Sequence, residues 1–139
     1  MSAEECFNLY KKCVDIESNQ FSLEDFKRFQ KSTDIKIKKE QNCIAILGLT
    51  DHEVEIYFIG VAEDLRGRGL GKKLLKSIIG FSKNYGADFI ILEVGINNIA
   101  AKNMYLSLNF IEYGIRKNYY RNSSGIREDA IIMKLKIKT

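Results

Sequence analysis

Val61-Ala62-Glu63-Asp64-Leu65-Arg66-Gly67-Arg68-Gly69-Leu70-Gly71-Lys72-Lys73-Leu74-Leu75 decides the fold. An apolar run, Ile56, Tyr57, Phe58, Ile59 and Val61, leads into it, and a helical pattern leaves it. Leu70, Leu74, Leu75, Ile78 and Ile79 recur at the spacing of one helix face, with Lys72, Lys73, Lys76 and Lys83 mostly turned away. The order is strand, glycine-rich turn, helix. Three glycines at alternate positions let backbone approach a ligand closely, and the free N–H groups at a helix start attract anions. Arg66, Arg68, Lys72 and Lys73 add positive charge around that mouth. The stretch reads as a pyrophosphate cradle; the competing reading is a tight strand–helix connection that binds nothing.

Two familiar cradles are excluded. A Walker loop ends in Gly-Lys-Ser/Thr, whereas Gly71-Lys72 is followed by Lys73, which offers magnesium no hydroxyl. A dinucleotide G-x-G-x-x-G would require glycine at 72 or 74, and neither position has it. What remains, Arg66-x-x-Gly69-x-Gly71 after a strand, resembles the acetyl-CoA loop of the GCN5-related N-acetyltransferases (GNAT).

The 139 residues, 45% hydrophobic and 29% charged, suit one soluble globular domain spanning 1–139. The longest apolar runs, Cys43 to Leu49 and Ile56 to Ala62, are too short to span a bilayer, so no membrane association is expected. Met1-Ser2-Ala3-Glu4-Glu5 has neither the basic nor the apolar region of a signal peptide. Cys6, Cys13 and Cys43 form no C-x-x-C pair and read as reduced, buried thiols of a cytoplasmic protein, with no metal site. The net charge of +4 is mild, and no nucleic-acid-reading motif accompanies it. With His52 the one histidine, in an expected turn, any general base is a carboxylate, a tyrosine or a water.

Along the chain, Cys6, Leu9, Tyr10, Cys13 and Val14 predict a helix over 3–17. Ser22 and Asp25 form a capping box for a second helix, with Phe21 and Phe26 placed as a hydrophobic staple, and the two helices pair around residues 18–21. A half-exposed strand at Ile35 and Ile37, the buried strand Cys43–Leu49 and the strand Glu53–Val61 make an antiparallel meander into the cradle helix, which stops at Tyr85-Gly86. Phe89–Val94 should lie parallel to the strand ending at Val61. Asn97 or Asn98 caps a further helix whose inner face holds Ala101, Met104, Tyr105 and Leu108, and Asn109 ends it in a left-handed conformation. Phe110–Tyr119 and Glu128–Lys138 finish the chain as a hairpin closed by Arg121–Gly125.

Four features carry candidate chemistry. Gly60 interrupts a β-branched and aromatic strand, so it marks either tight packing or a bulge. A bulge would free an N–H near Val61 to bind a thioester carbonyl and stabilise an oxyanion. Glu93, inside Phe89–Val94, is either a solvated strand-end residue or a general base whose pKa burial raises; Glu55 is its rival. Tyr105 is either a packing residue or a general acid for a departing CoA thiolate. Asn98 caps its helix, and its amide could also face a cofactor. No cysteine lies near the cradle in sequence, which disfavours a covalent enzyme intermediate.

The second half strengthens the resemblance. Leu92-Glu93-Val94 and Asn98-x-x-Ala101-x-x-x-Tyr105-x-x-Leu108-x-Phe110 are similar to the superfamily's second motif. Ile115-Arg116-Lys117-Asn118-Tyr119-Tyr120, followed by Arg127-Glu128-Asp129-Ala130-Ile131-Ile132-Met133, resembles its RimI-like branch, the ribosomal-protein-alanine N-acetyltransferases. That resemblance implies a mixed α/β fold with a mostly antiparallel, splayed sheet flanked by helices. It implies acetyl-CoA as co-substrate, and as acceptor the N-terminal alanine of the eighteenth small-subunit ribosomal protein. It further implies Glu93 as proton acceptor, Tyr105 as proton donor, Ile59, Gly60 and Val61 along the pantetheine arm, Gly67 to Lys72 at the pyrophosphate, and Asn98 on the cofactor. Tyr119 and Tyr120 would shape the peptide entrance. Asn109 replaces a usual glycine, Gly95 a common arginine and Phe58 a frequent polar residue, and the hairpin gains Ile126; Gly95 and Phe58 bear on peptide specificity. Acetylation of a small-molecule amine and a non-catalytic acyl-CoA sensor are the alternatives.

Overall fold

The computed structural model describes residues 1–14, 20–121 and 126–137. Their helices are α1 (Ala3–Cys13), α2 (Leu23–Lys31), α3 (Leu70–Tyr85) and α4 (Ile99–Ser107). Their strands are β1 (Ile35–Glu40), β2 (Cys43–Leu49), β3 (Glu53–Val61), β4 (Phe89–Gly95), β5 (Ile111–Arg121) and β6 (Arg127–Lys136). The strands form one sheet in the order β1-β2-β3-β4-β6-β5, antiparallel at every junction except β3–β4.

β2 explains why the sheet carries helices on both faces. Cys43, Ala45 and Leu47 point into a core with Leu74, Leu75 and Ile78 of α3 and Tyr105 of α4. Ile44 and Ile46 point the other way, into a core with Tyr10 of α1 and Phe26 of α2. A strand buried on both faces must be apolar throughout, which is the unbroken run seen in the sequence. Tyr10 anchors the second core, its ring edge-on to Phe58 at 4.8 Å and its hydroxyl accepting the N–H groups of Gln20 (3.0 Å) and Phe21 (3.3 Å).

Local signals set the helix ends. Ser22 and Asp25 complete the expected capping box, with Ser22 N–H donating to Asp25 at 2.8 Å. Asn98, rather than Asn97, caps α4, its Oδ1 accepting from Ala101 N–H at 3.2 Å, while Asn97 donates to Glu128 at 2.9 Å. Gly86 stops α3 and Asn109 follows α4, both left-handed (φ 88° and 72°).

Other expectations need correction. The first helix ends at Cys13, because Val14 is already extended (φ −110°, ψ 146°), and residues 15–19 lie outside the described set with the first half of the expected helix junction. Phe21 meets Phe29 at 5.4 Å and Tyr10 at 5.8 Å, so the ring expected to staple Phe26 serves a wider aromatic cluster. Phe110 is a buried residue before β5, and the β5–β6 loop at 122–125 lies outside the described residues.

The β3–β4 junction creates the site. Parallel pairing runs from Glu53↔Phe89 to Ile56↔Leu92 and stops. β3 continues to Val61 on β2, and β4 continues to Gly95 on β6. Held by different neighbours, the two strands part, as expected for a splayed sheet.

Candidate active site

A cleft runs through this opening, and its three compartments share lining residues. One end is walled by Ile59, Gly60, Val61, Arg66, Gly71 and Met104. Tyr105, Asn98 and Phe58 line both that end and the middle. Glu93, Tyr57 and Gln20 line both the middle and the far end, where Glu55, Phe21 and Tyr119 complete the wall. The structure thus brings Ile59, Gly60, Val61, Arg66, Asn98, Tyr105 and Glu93 into one cleft, with Tyr105 and Glu93 both lining its middle.

Gly67, Arg68, Gly69 and Leu70 belong to the segment between Arg66 and Gly71, whose two ends line the cleft, and Lys72 follows in the first turn of α3; none of these five lines the three compartments. Gly67 and Gly69 hold φ of 81° and 78°, conformations costly for other residues, and Gly69 is the N-cap of α3. That helix has neither a capping side chain nor an acidic residue in its first turn. Its first N–H groups therefore keep their capacity for an anion, and Lys72 and Lys73 add charge. Arg66 does more than contribute charge: its Nε donates to Val61 O (3.1 Å) and its Nη2 to Cys13 O (2.8 Å), tying the end of β3 to the C-terminus of α1.

The bulge is not at Gly60. Gly60 pairs regularly with Ile44, and the register shift falls between Ile46↔Phe58 and Leu47↔Ile56, making Tyr57 the extra residue. Gly60 is instead a packing glycine, because an added Cβ would stand 2.6 Å from the Phe58 ring. The Val61 N–H still faces the cleft, for a different reason. Ala62 N–H donates to Asn42 O just before β2 (2.8 Å), so by alternation Val61 N–H, opposite Cys43, points away from β2, to the side β4 has left. The bulge at Tyr57 turns Tyr57 as well as Phe58 off the α3 face, so Glu55 and Tyr57 share a face with Glu93.

At the far end, Glu93 is three-quarters buried and accepts from Arg116 Nη1 at 2.6 Å. That bond pushes the guanidinium's pKa up and keeps it charged, and its Cζ lies 3.8 Å from the Tyr119 ring centroid. Partial desolvation against the cleft wall, and then the Glu93 charge, push the Glu55 carboxyl above its ordinary value. Asp129 accepts from Asn118 N–H (2.9 Å) and Arg127 donates to Asn118 O (3.2 Å), which pins the irregular stretch of β5 between Arg116 and Tyr120. Asn118, Arg127 and Asp129, from the RimI-like stretches, therefore brace the segment that carries Arg116 to Glu93 and Tyr119 to the cleft.

The cysteines also correct the sequence reading. Cys13 lines the cradle end of the cleft, and Cys43 pairs with Val61 across the strands. Burial, then the Cys43 charge, push the Cys13 thiol up to about 11, so it is a poor nucleophile despite its place. Among the described residues no three His, Cys, Asp or Glu side chains cluster as a metal site, and no helix is long and apolar enough to cross a membrane.

Residues 3–110 match the acetyltransferase (GNAT) family. The chain belongs to this family. It is 42% identical over 93 residues to the [ribosomal protein bS18]-alanine N-acetyltransferase of Escherichia coli K12, covering 67% of this chain and 62% of that protein. The chain thus spans about three-fifths of that relative's length. The crystal structure of the ribosomal-protein-S18-alanine N-acetyltransferase from Escherichia coli superposes with a TM-score of 0.84 at 30% identity, covering 99% of this chain and 88% of that one. The NatC complex bound to Gag peptide and CoA is similar at a TM-score of 0.79 and 25% identity, over 97% and 92% of the two chains. The mixed α/β fold with a mostly antiparallel sheet is the GNAT fold.

Two functional neighbours escaped the sequence reading. Arg116 was visible only as part of a motif, since nothing in one dimension pairs it with Glu93. Tyr57 was visible only as an apolar strand residue, because the register shift that turns it into the cleft depends on β2.

Proposed function

We propose that the protein transfers acetyl from acetyl-CoA to the α-amino group of a protein N-terminus, with the N-terminal alanine of ribosomal protein bS18 as acceptor. We read the chain as one N-acetyltransferase domain over 1–139, working in the cytoplasm. The observation that carries this reading is the single cleft joining an anion-ready helix start to a carboxylate-lined aromatic end. The residues at the cradle end suit acetyl-CoA: left-handed glycines, a helix start without acid or cap, and an unpartnered strand edge. Gly67 to Lys72 would hold the pyrophosphate, Ile59 to Val61 the pantetheine arm, and Asn98 the cofactor side of α4.

Acetyl-CoA supplies an acetyl group activated as a thioester. Glu93, oriented by Arg116, takes the proton of the incoming ammonium through water, leaving a nucleophilic amine. Val61 N–H donates to the acyl oxygen as negative charge grows on it. Tyr105 returns a proton to the departing sulfur. Holding both substrates in one cleft provides proximity, so no covalent enzyme intermediate is required.

A second reading, acetylation of a small-molecule amine, draws support from the two carboxylates at the acceptor end. Labelled acetyl transfer to a peptide bearing the bS18 N-terminus, beside an N-terminally blocked peptide and a polyamine mixture, tests both. Transfer to the free peptide alone is expected; transfer to polyamines alone overturns the peptide reading.

A further inference from the structure

We propose that Glu55 is the docking residue for the acceptor's ammonium group, acting beside Glu93 in an aromatic-walled pocket; this rests on the N-terminal acetyltransferase reading. Glu55 stands opposite Ile91 in the parallel register, so it shares a sheet face with Glu93, two residues further along β4. Both carboxylates line the far compartment with Phe21, Phe29, Tyr57 and Tyr119. Their charges are not equivalent. Arg116 ties Glu93 at 2.6 Å, whereas Glu55 forms no hydrogen bond or ion pair among the described residues. One cation set against two carboxylates leaves one negative charge for the compartment, and a single ammonium is its complement. The aromatic faces reinforce the choice, because their negative quadrupoles favour a cation over a neutral group.

The same conclusion follows from what Glu55 lacks. Glu55 is solvent-exposed, and desolvation on its cleft side first, then the Glu93 charge, push its carboxyl above the ordinary value. An arriving ammonium relieves that repulsion. The bulge at Tyr57 serves this arrangement: it keeps Glu55 and Tyr57 on the acceptor face while the following residues run to the cradle. Glu55 binds, and Glu93 takes the proton.

Steady-state kinetics with the bS18 N-terminal peptide separate the two roles. Glu55→Gln is expected to raise the peptide KM about tenfold, as loss of one charge-assisted hydrogen bond would, with kcat within about twofold. Its affinity for CoA should match that of the unmutated protein, and Glu55→Asp should recover most of the peptide KM. An unchanged KM, or a fall in kcat at constant KM, overturns the proposal. A second measurement uses only the unmutated protein. A peptide with a hydroxyl in place of the α-amine should inhibit more weakly than the amine peptide binds, and equal affinities overturn the proposal. Unmutated protein that acetylates no free peptide overturns the underlying reading as well, whereas active protein with an indifferent Glu55→Gln overturns this one alone.

Discussion

Arg116 reaches across β6 to Glu93, Nη1 to Oε1 at 2.6 Å, although their strands are not neighbours in the sheet. Arg116 pairs with Ala130, and Ala130 with Gly95, so the side chain spans one strand and leans two residues back along β4. The pair fixes which way the Glu93 carboxylate faces. Arg116→Ala should therefore lower kcat/KM by about tenfold to a hundredfold, as losses of oriented second-layer partners do. Its Tm should barely move, because a half-exposed ion pair contributes little to stability. Kinetics and thermal melts on one preparation check both statements.

Asp129 holds that arrangement from the outside. Its carboxyl is held below the ordinary value, first by the Asn118 N–H and then by Lys117. A lowered carboxylate contributes stability that is present above its unfolded pKa of about 3.9 and is lost as pH falls through the lower folded value. The Tm gap between the unmutated protein and Asp129→Asn should therefore be constant above about pH 5 and close toward pH 2. A gap that widens in acid would contradict the assignment.

Much of this fold was legible because its signals are local. Ser22 and Asp25, Gly86, Asn109 and the cradle glycines each act within a few residues of themselves, and each appears where the sequence places it. The parallel pairing of β4 on β3 follows from a strand–helix–strand order. The cleft was legible in Ile59 to Val61, Asn98, Tyr105 and Glu93, and not in Tyr57 or in the Arg116 that ties Glu93. The bulge at Tyr57 depends on how many β2 residues oppose β3, which one strand's sequence does not specify. Glu93 and Arg116, like Cys13 and Arg66, meet through three-dimensional packing between residues far apart in the chain.

Gly60 and Gly48 separate packing from function. A methyl at Gly60 would stand 2.6 Å from Phe58 Cζ and 3.1 Å from Cys13 Cβ, and Phe58 is wedged against Tyr10. Gly60→Ala should destabilise the fold by about 1–3 kcal/mol through overpacking. A methyl at Gly48 would meet the Tyr57 ring, which is 44% exposed and can swing outward. Gly48→Ala should therefore leave Tm nearly unchanged and instead raise the acceptor peptide's KM. Equal Tm losses in the two variants would contradict this division.

Arg66 should not tolerate lysine. Its two nitrogens bridge Val61 O and Cys13 O, and an ammonium has no rigid fork with which to reach both. Arg66→Lys is expected to lower stability by about 1–2 kcal/mol despite conserving charge, whereas exposed Arg68→Lys should be neutral. Denaturant melts distinguish them.

The cradle glycines make the last test, with Gly80 as their control. Gly67 and Gly69 hold φ of 81° and 78°, and neither would place a Cβ within 4 Å of another heavy atom. Their cost on substitution is therefore conformational, about 1–2 kcal/mol for an L-residue forced left-handed. Gly80 has equally open surroundings but sits inside α3 without a left-handed φ, so Gly80→Ala should stabilise by about 0.5–1 kcal/mol through helix propensity. Binding then separates the loop from the helix. If Gly69 presents the α3 start to a pyrophosphate, Gly69→Ala should weaken CoA at least tenfold, roughly the effect of 1.4 kcal/mol, whereas Gly80→Ala should leave affinity unchanged. Calorimetry with CoA measures both. Gly69→Ala binding CoA as tightly as the unmutated protein would remove the loop from the cofactor site and return it to a plain strand–helix connection.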